Sequence, residues 1–249
     1  MKLFDCCLVG KLRFLLAGIS ITPSICRFVI APSLLIDVGC GKGNFLHDLK
    51  RWGNYFRVHQ TYKIGLDIFD PSLRQAKQVY DEVVKCNVKN IPFRDNIFDV
   101  AVCFQVIEHL QKSEGFILLN ELERISSGKI ILTAPVGSSP KHKLEDKNPW
   151  QAHVSSWYPC EFVSRGCLVR GFHGVRLAKG MEDSYLWSKF EYLLLIFDMI
   201  SGLLVYCLPS AARQMMCVID KRDIPRKRFA LSTRLKSLAT EPKPNPTYA

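Results

Sequence analysis

From Leu34 onward, short apolar runs alternate with segments whose apolar positions recur at helical spacing. That order predicts a parallel sheet covered by helices on both faces. Strands are expected at Leu34–Val38, Lys63–Asp67, Val83–Asn87, Phe98–Phe104 and Lys129–Thr133, then in "CLVRGFHG" and "QMMCVID". Helices are expected at Phe45–Trp52, Pro71–Glu82, Glu108–Ile125 and around Tyr158–Ser164, Pro71 suiting a first turn. The fold class read from this pattern is α/β, a doubly wound Rossmann-like sheet. It has seven mostly parallel strands, the last antiparallel, and an apolar helical insertion (185–208) between strands six and seven. Residues 1–30 read as an N-terminal helical extension, 31–220 as the domain and 221–249 as a basic, disordered tail.

The first strand runs into "DVGCGKG", placing Gly39, Gly41 and Gly43 between a strand and a helix. Orphan amides and the helix dipole face a ligand there, and missing side chains let it approach. Asp67 ends the second strand, where a carboxylate can accept hydrogen bonds from both ribose hydroxyls. Together these features indicate an adenosine-containing cofactor.

Composition changes this picture in two places. Ten cysteines are scattered without a metal-spaced pair, which favours free thiols in a reducing cytoplasm over a disulfide scaffold. The net charge of +11 suggests nucleic acid. Yet eight Lys/Arg against Asp223 and Glu241 give the tail 221–249 a charge of +6, more than half of that excess. The opening "MKLFDCCLVGKLRFLLAGIS" is expected to be a packed helix, not a cleaved leader.

The G-x-G-x-G turn preceded by Asp37 resembles motif I of the class I S-adenosylmethionine-dependent methyltransferases. "CNVKNIPFRDNIFDVAVCFQVIEHL" and "HVSSWYPCEFVSRGCLVRGFHG" are similar, in order and spacing, to blocks of the type-11 methyltransferase domain family. The resemblance implies that S-adenosylmethionine lies over Gly39, Cys40, Gly41 and Gly43. It implies that Asp37 holds the methionine amine, that Asp67, with Ile68 beside it, binds the ribose, and that Asn87 and Val88 meet adenine. Phe104 and Gln105 would line the space near the sulfonium methyl. Family members often carry Asp where this chain has Asn87, whose amide oxygen can still accept from the adenine amino group.

Methyl transfer needs alignment and exclusion of water more than proton transfer. Should the acceptor have to lose a proton, His109 and His153 are the candidate bases. Gln105, Glu108 and His109 fall at i, i+3 and i+4 and could share one helix face. Some relatives hold a divalent ion with a Glu at the first of these positions. Gln105 is a poor substitute for that anion, so no metal is expected.

The implied activity is methyl transfer to a small-molecule or lipid-linked acceptor, giving S-adenosylhomocysteine. The rival readings are an RNA methyltransferase and a cofactor-binding regulatory protein without turnover. A nucleic-acid partner is not expected, because the basic residues gather in the tail and no RNA-binding module stands out. Tyr185–Leu208 is expected to cap the acceptor side, pair with another copy or lie on a membrane surface. With the basic tail, it makes peripheral contact at the inner membrane face an addition to the cytoplasmic location expected.

Overall fold

The alternation is realised as one seven-stranded sheet. The structure, a computed structural model, describes residues 29, 32–46, 61–137, 148–175, 201 and 204–221. Its strands are β1 (Leu34–Val38), β2 (Tyr62–Asp67), β3 (Glu82–Lys85), β4 (Phe98–Phe104), β5 (Ser126–Pro135), β6 (Leu168–Val175) and β7 (Ala212–Asp220). They lie in the order β3-β2-β1-β4-β5-β7-β6. The first five are parallel, while β6 and β7 pair antiparallel. Since β1 has β2 on one side and β4 on the other, the winding reverses there. In open α/β sheets, ligands bind beyond the carboxyl ends of the strands at such a reversal.

In β1, Leu35, Ile36 and Val38 are fully buried, as expected of a strand covered on both faces. One core cluster joins Leu35, Val100, Val102, Ile131, Phe172, Met216 and Val218. A second gathers Cys40, Leu46, Leu73, Ala76, Val79 and Tyr80 beside the glycine turn. The chain forms one unit over Met1–Ile219 and a second over Asp220–Ala249; of the second, only Asp220 and Lys221 are described.

Three helices have defined bounds: α1 (Asp70–Ala76), α2 (Lys112–Ile125) and α3 (Pro159–Val163). α1 is shorter than the expected Pro71–Glu82. The chain turns after Ala76, so that Val79 and Tyr80 fill the space over Gly43 and Gly65, and Asp81 N–H donates to Lys63 O. The expected helix Glu108–Ile125 is also divided. Ile107–His109 form a 3₁₀ turn, Leu110 is extended, and α2 starts afresh behind Gln111, which forms a capping box with Glu114.

β5 is longer than predicted at both ends. Most of the expected helix Phe45–Trp52 and of the apolar insertion 185–208 lies outside the described residues. Ser201 and residues 204–207 are helical, and Val205 rests against Gly171 of β6. Among the described residues no helix is long and apolar enough to cross a membrane. Nor do they contain a disulfide: seven cysteines are free thiols.

Candidate active site

β1 and β2, paired in parallel, deliver the glycine turn and Asp67 to the same end of the sheet. Gly39 and Cys40 N–H both donate to Leu66 O at 2.8 Å, and Gly41 N–H donates to Asp67 Oδ2 at 2.8 Å. Asp67 Oδ1 accepts from Phe69 N–H, also at 2.8 Å. Each carboxylate oxygen has a second lone pair for a ribose hydroxyl, so the ligand need not break the turn. At Gly39 (φ +80°) a Cβ would lie 2.2 Å from Val106 Cγ2, so the residue must be bare for the segment after β4 to rest on the turn. At Gly41 (φ +53°) a Cβ would have nothing within 4 Å; its backbone faces open space, which fits a ligand lying across it. Burial holds the Cys40 thiol far above its ordinary range, so Cys40 serves the turn through its backbone.

Asp37 is buried and accepts a hydrogen bond from the Tyr80 hydroxyl. Burial pushes its carboxyl up to about 7; the Tyr80 bond opposes the rise, and the charge of Asp67 adds to it. Sequence reasoning missed Tyr80 by leaving it inside a helix that in fact ends at Ala76.

A raised carboxyl binds its proton more tightly in the folded chain, so the ligand-free fold loses stability as pH rises from the ordinary carboxylate value toward 7. Binding of an ammonium group has the opposite sign, because it needs Asp37 ionised. Affinity for S-adenosylhomocysteine is therefore expected to rise as pH climbs through about 7. Tyr80→Phe, which removes the lowering bond, should move that midpoint upward. Calorimetric titration across this range checks both; a flat profile in the wild type would remove Asp37 from the amine contact.

Asn87 is exposed beyond β3; its Oδ1 accepts from Lys89 N–H at 3.0 Å, and Val88 beside it is buried. Cys86 N–H donates to Asp67 O, so this loop starts beside Asp67. Ile68 is half-buried next to it. Phe104 ends β4 edge-to-face with Phe45, ring centroids 4.5 Å apart. Gln105 has φ +54°, a left-handed conformation uncommon outside glycine. Its Nε2 donates to Thr133 Oγ1 at 3.2 Å. The expected shared helix face of Gln105, Glu108 and His109 is thus not formed, since Gln105 stands outside the 3₁₀ turn.

The structure instead brings together Glu108, His109 and His153. Val154 and Ser155 N–H donate to Glu108 O at 2.9 and 3.1 Å, and Trp157 Nε1 donates to Ile107 O at 3.2 Å. These bonds lay residues 152–157 along the 3₁₀ turn, with the His109 and His153 ring centroids 4.8 Å apart. Glu108 is 1% exposed, and among the described residues neither of its carboxylate oxygens has a hydrogen-bond partner. Burial raises that carboxyl to about 8. Trp157 is core: it is buried against Gly115 and Phe162, whereas Trp150 and Tyr158 are about half exposed.

A reversed-winding sheet, a bare glycine turn on its first strand and an acid ending the second define a nucleoside-binding α/β enzyme fold. Residues 36–132 match the family model described as a methyltransferase domain. A solved S-adenosylmethionine-dependent methyltransferase from Archaeoglobus fulgidus shares the fold, with TM-score 0.52 and 18% identity over 84% of this chain and 99% of that one. Residues 36–132 are thus a methyltransferase domain, in a fold shared with a solved S-adenosylmethionine-dependent methyltransferase.

Among curated proteins it is 27% identical over 159 residues to the probable tRNA methyltransferase 9B of Mus musculus, covering 57% of this chain and 32% of that protein. It is 26% identical over 137 residues to a tRNA (carboxymethyluridine(34)-5-O)-methyltransferase of Arabidopsis thaliana, covering 54% and 31%. The chain thus spans about a third of the length of these relatives. The expectation that nucleic acid is not a partner is overturned by them, since both are named for action on tRNA.

Proposed function

We propose that this chain moves a methyl group from S-adenosylmethionine to an oxygen of an RNA acceptor, leaving S-adenosylhomocysteine. The observation that carries this reading is the length of the match to a tRNA methyltransferase. It covers 57% of the chain, more than the 97 residues of the segment 36–132, so the likeness runs beyond the methyltransferase domain match. The net charge of +11 supports it, because phosphate neutralisation supplies much of the affinity for nucleic acid. The small-molecule or lipid-linked acceptor expected from sequence is the competing outcome.

The residues divide the work in a way the chemistry requires. Asp67 and the bare backbone at Gly41 fix the nucleoside, and Asp37 fixes the amine. The sulfonium carbon is then held in line for attack, and alignment supplies most of the acceleration. An ionised oxygen needs no base. A hydroxyl would need one, and the imidazoles of His109 and His153 are the groups at hand as long as no ion takes their lone pairs.

The test is incubation of the purified chain with methyl-tritiated cofactor, total tRNA and a lipid and metabolite extract in one reaction. Label is expected in nucleosides after nuclease digestion, and it should fall steeply as salt is raised. Label confined to the organic-soluble or small-metabolite fraction would replace RNA with that acceptor.

A further inference from the structure

We propose that Glu108, His109 and His153 form a mononuclear site for a borderline divalent ion of the zinc, cobalt(II) or iron(II) class. One ligating atom from each residue lies within 4.8 Å of the others. Tetrahedral bonds of about 2.0–2.1 Å separate ligand atoms by roughly 3.4 Å, so side-chain rotation has to close at most about 1.4 Å. The buried Glu108 carboxyl supplies the independent reason to look for a ligand. A buried polar group with no partner costs free energy, and a cation at this point would satisfy both oxygens.

The surroundings prepare the imidazoles as well. His109 Nδ1 lies 3.2 Å from Ala152 O, and a proton on Nδ1 donated to that carbonyl leaves the lone pair on Nε2. His153 is carried by backbone bonds from the next residues to Glu108 O, and by Lys112 Nζ donating to Ser156 O at 2.6 Å. Two imidazoles and one carboxylate suit borderline ions better than magnesium or calcium, which take oxygen ligands. Three protein ligands leave a coordination position open.

From sequence no metal was expected, because Gln105 stood in a ligand position. Gln105 is indeed turned to Thr133, and the third ligand comes from His153 on a distant segment. Val106, between Gln105 and the 3₁₀ turn, rests on Gly39, so the site adjoins the cofactor turn. The assignment is independent of the acceptor, and its test does not require methyl transfer.

The test is titration of the chelator-treated full chain with cobalt(II) chloride, followed in the visible d–d bands. One equivalent is expected to bind, displaced by zinc and not by comparable magnesium. His153→Asn and Glu108→Gln should each weaken binding at least about tenfold. Should Glu108→Gln fail to fold, the more exposed His153→Asn decides, with retained S-adenosylhomocysteine binding as its folding control. Unchanged cobalt affinity in His153→Asn, thiolate charge-transfer bands showing cysteine ligands, equal displacement by magnesium, or no saturable binding would each overturn the site.

Discussion

Asp67→Ala is expected to abolish most of the thermal stabilisation that S-adenosylhomocysteine confers. A ligand present at a hundred times its dissociation constant stabilises the folded state by about 2.7 kcal/mol. Two hydrogen bonds to a charged acceptor are together worth roughly 3–6 kcal/mol, so their loss weakens binding by at least about a hundredfold. At the same ligand concentration the variant should then gain only a few tenths of a kcal/mol. Asp67 also anchors Gly41 and Phe69 N–H, so alanine loosens the turn as well as removing the ribose contacts. Asp67→Asn separates the two effects, because it keeps an acceptor but loses the charge, and an intermediate shift is expected. Melting curves with and without ligand check this. Equal shifts in wild type and Asp67→Ala would discard the ribose assignment.

The second large effect is expected at Gly39. An added methyl would meet Val106 Cγ2 at 2.2 Å, and φ of +80° is itself unfavourable for alanine. Left-handed strain costs about 1–2 kcal/mol and overpacking about 1–3 kcal/mol, so Gly39→Ala should destabilise by roughly 2–5 kcal/mol. Val106→Ala in the same chain makes room, and the double variant should recover the overpacking part but not the strain. Urea denaturation of the four proteins gives the coupling. Strict additivity would mean that Val106 is not the obstacle.

These two positions show what the sequence made legible. Strand-glycine-helix punctuation and an acid closing the next strand are local signals, and the structure puts Asp67 on the turn as that pattern suggests. β1 and β4 have the predicted bounds, because strands covered on both faces read as mainly apolar runs, here broken only by Asp37 and Asp99. Helix ends were less legible. Nothing in the period of Pro71–Glu82 announces that Val79 and Tyr80 must leave the helix to fill the space over Gly43 and Gly65. The same limit hid Tyr80 as the partner of Asp37, a contact between residues 43 positions apart. His153 reached Glu108 through backbone bonds from Val154 and Ser155, which have no signature in side-chain pattern. The exclusion of a nucleic-acid partner failed for another reason: the position of charge along a chain does not tell what the rest of its surface binds.

The place of β7 has a consequence for how the protein is made. It lies between β5 and β6, although among the described strands it is the last to leave the ribosome. Until Ala212–Asp220 emerge, β5 has an unpaired edge and β6 has lost the neighbour to which it pairs. Open edges on a nascent sheet invite pairing with other chains. A stalled or truncated translation product ending before Ala212 should therefore depend on chaperones and aggregate when they are depleted. One that extends past Asp220 should close its own sheet.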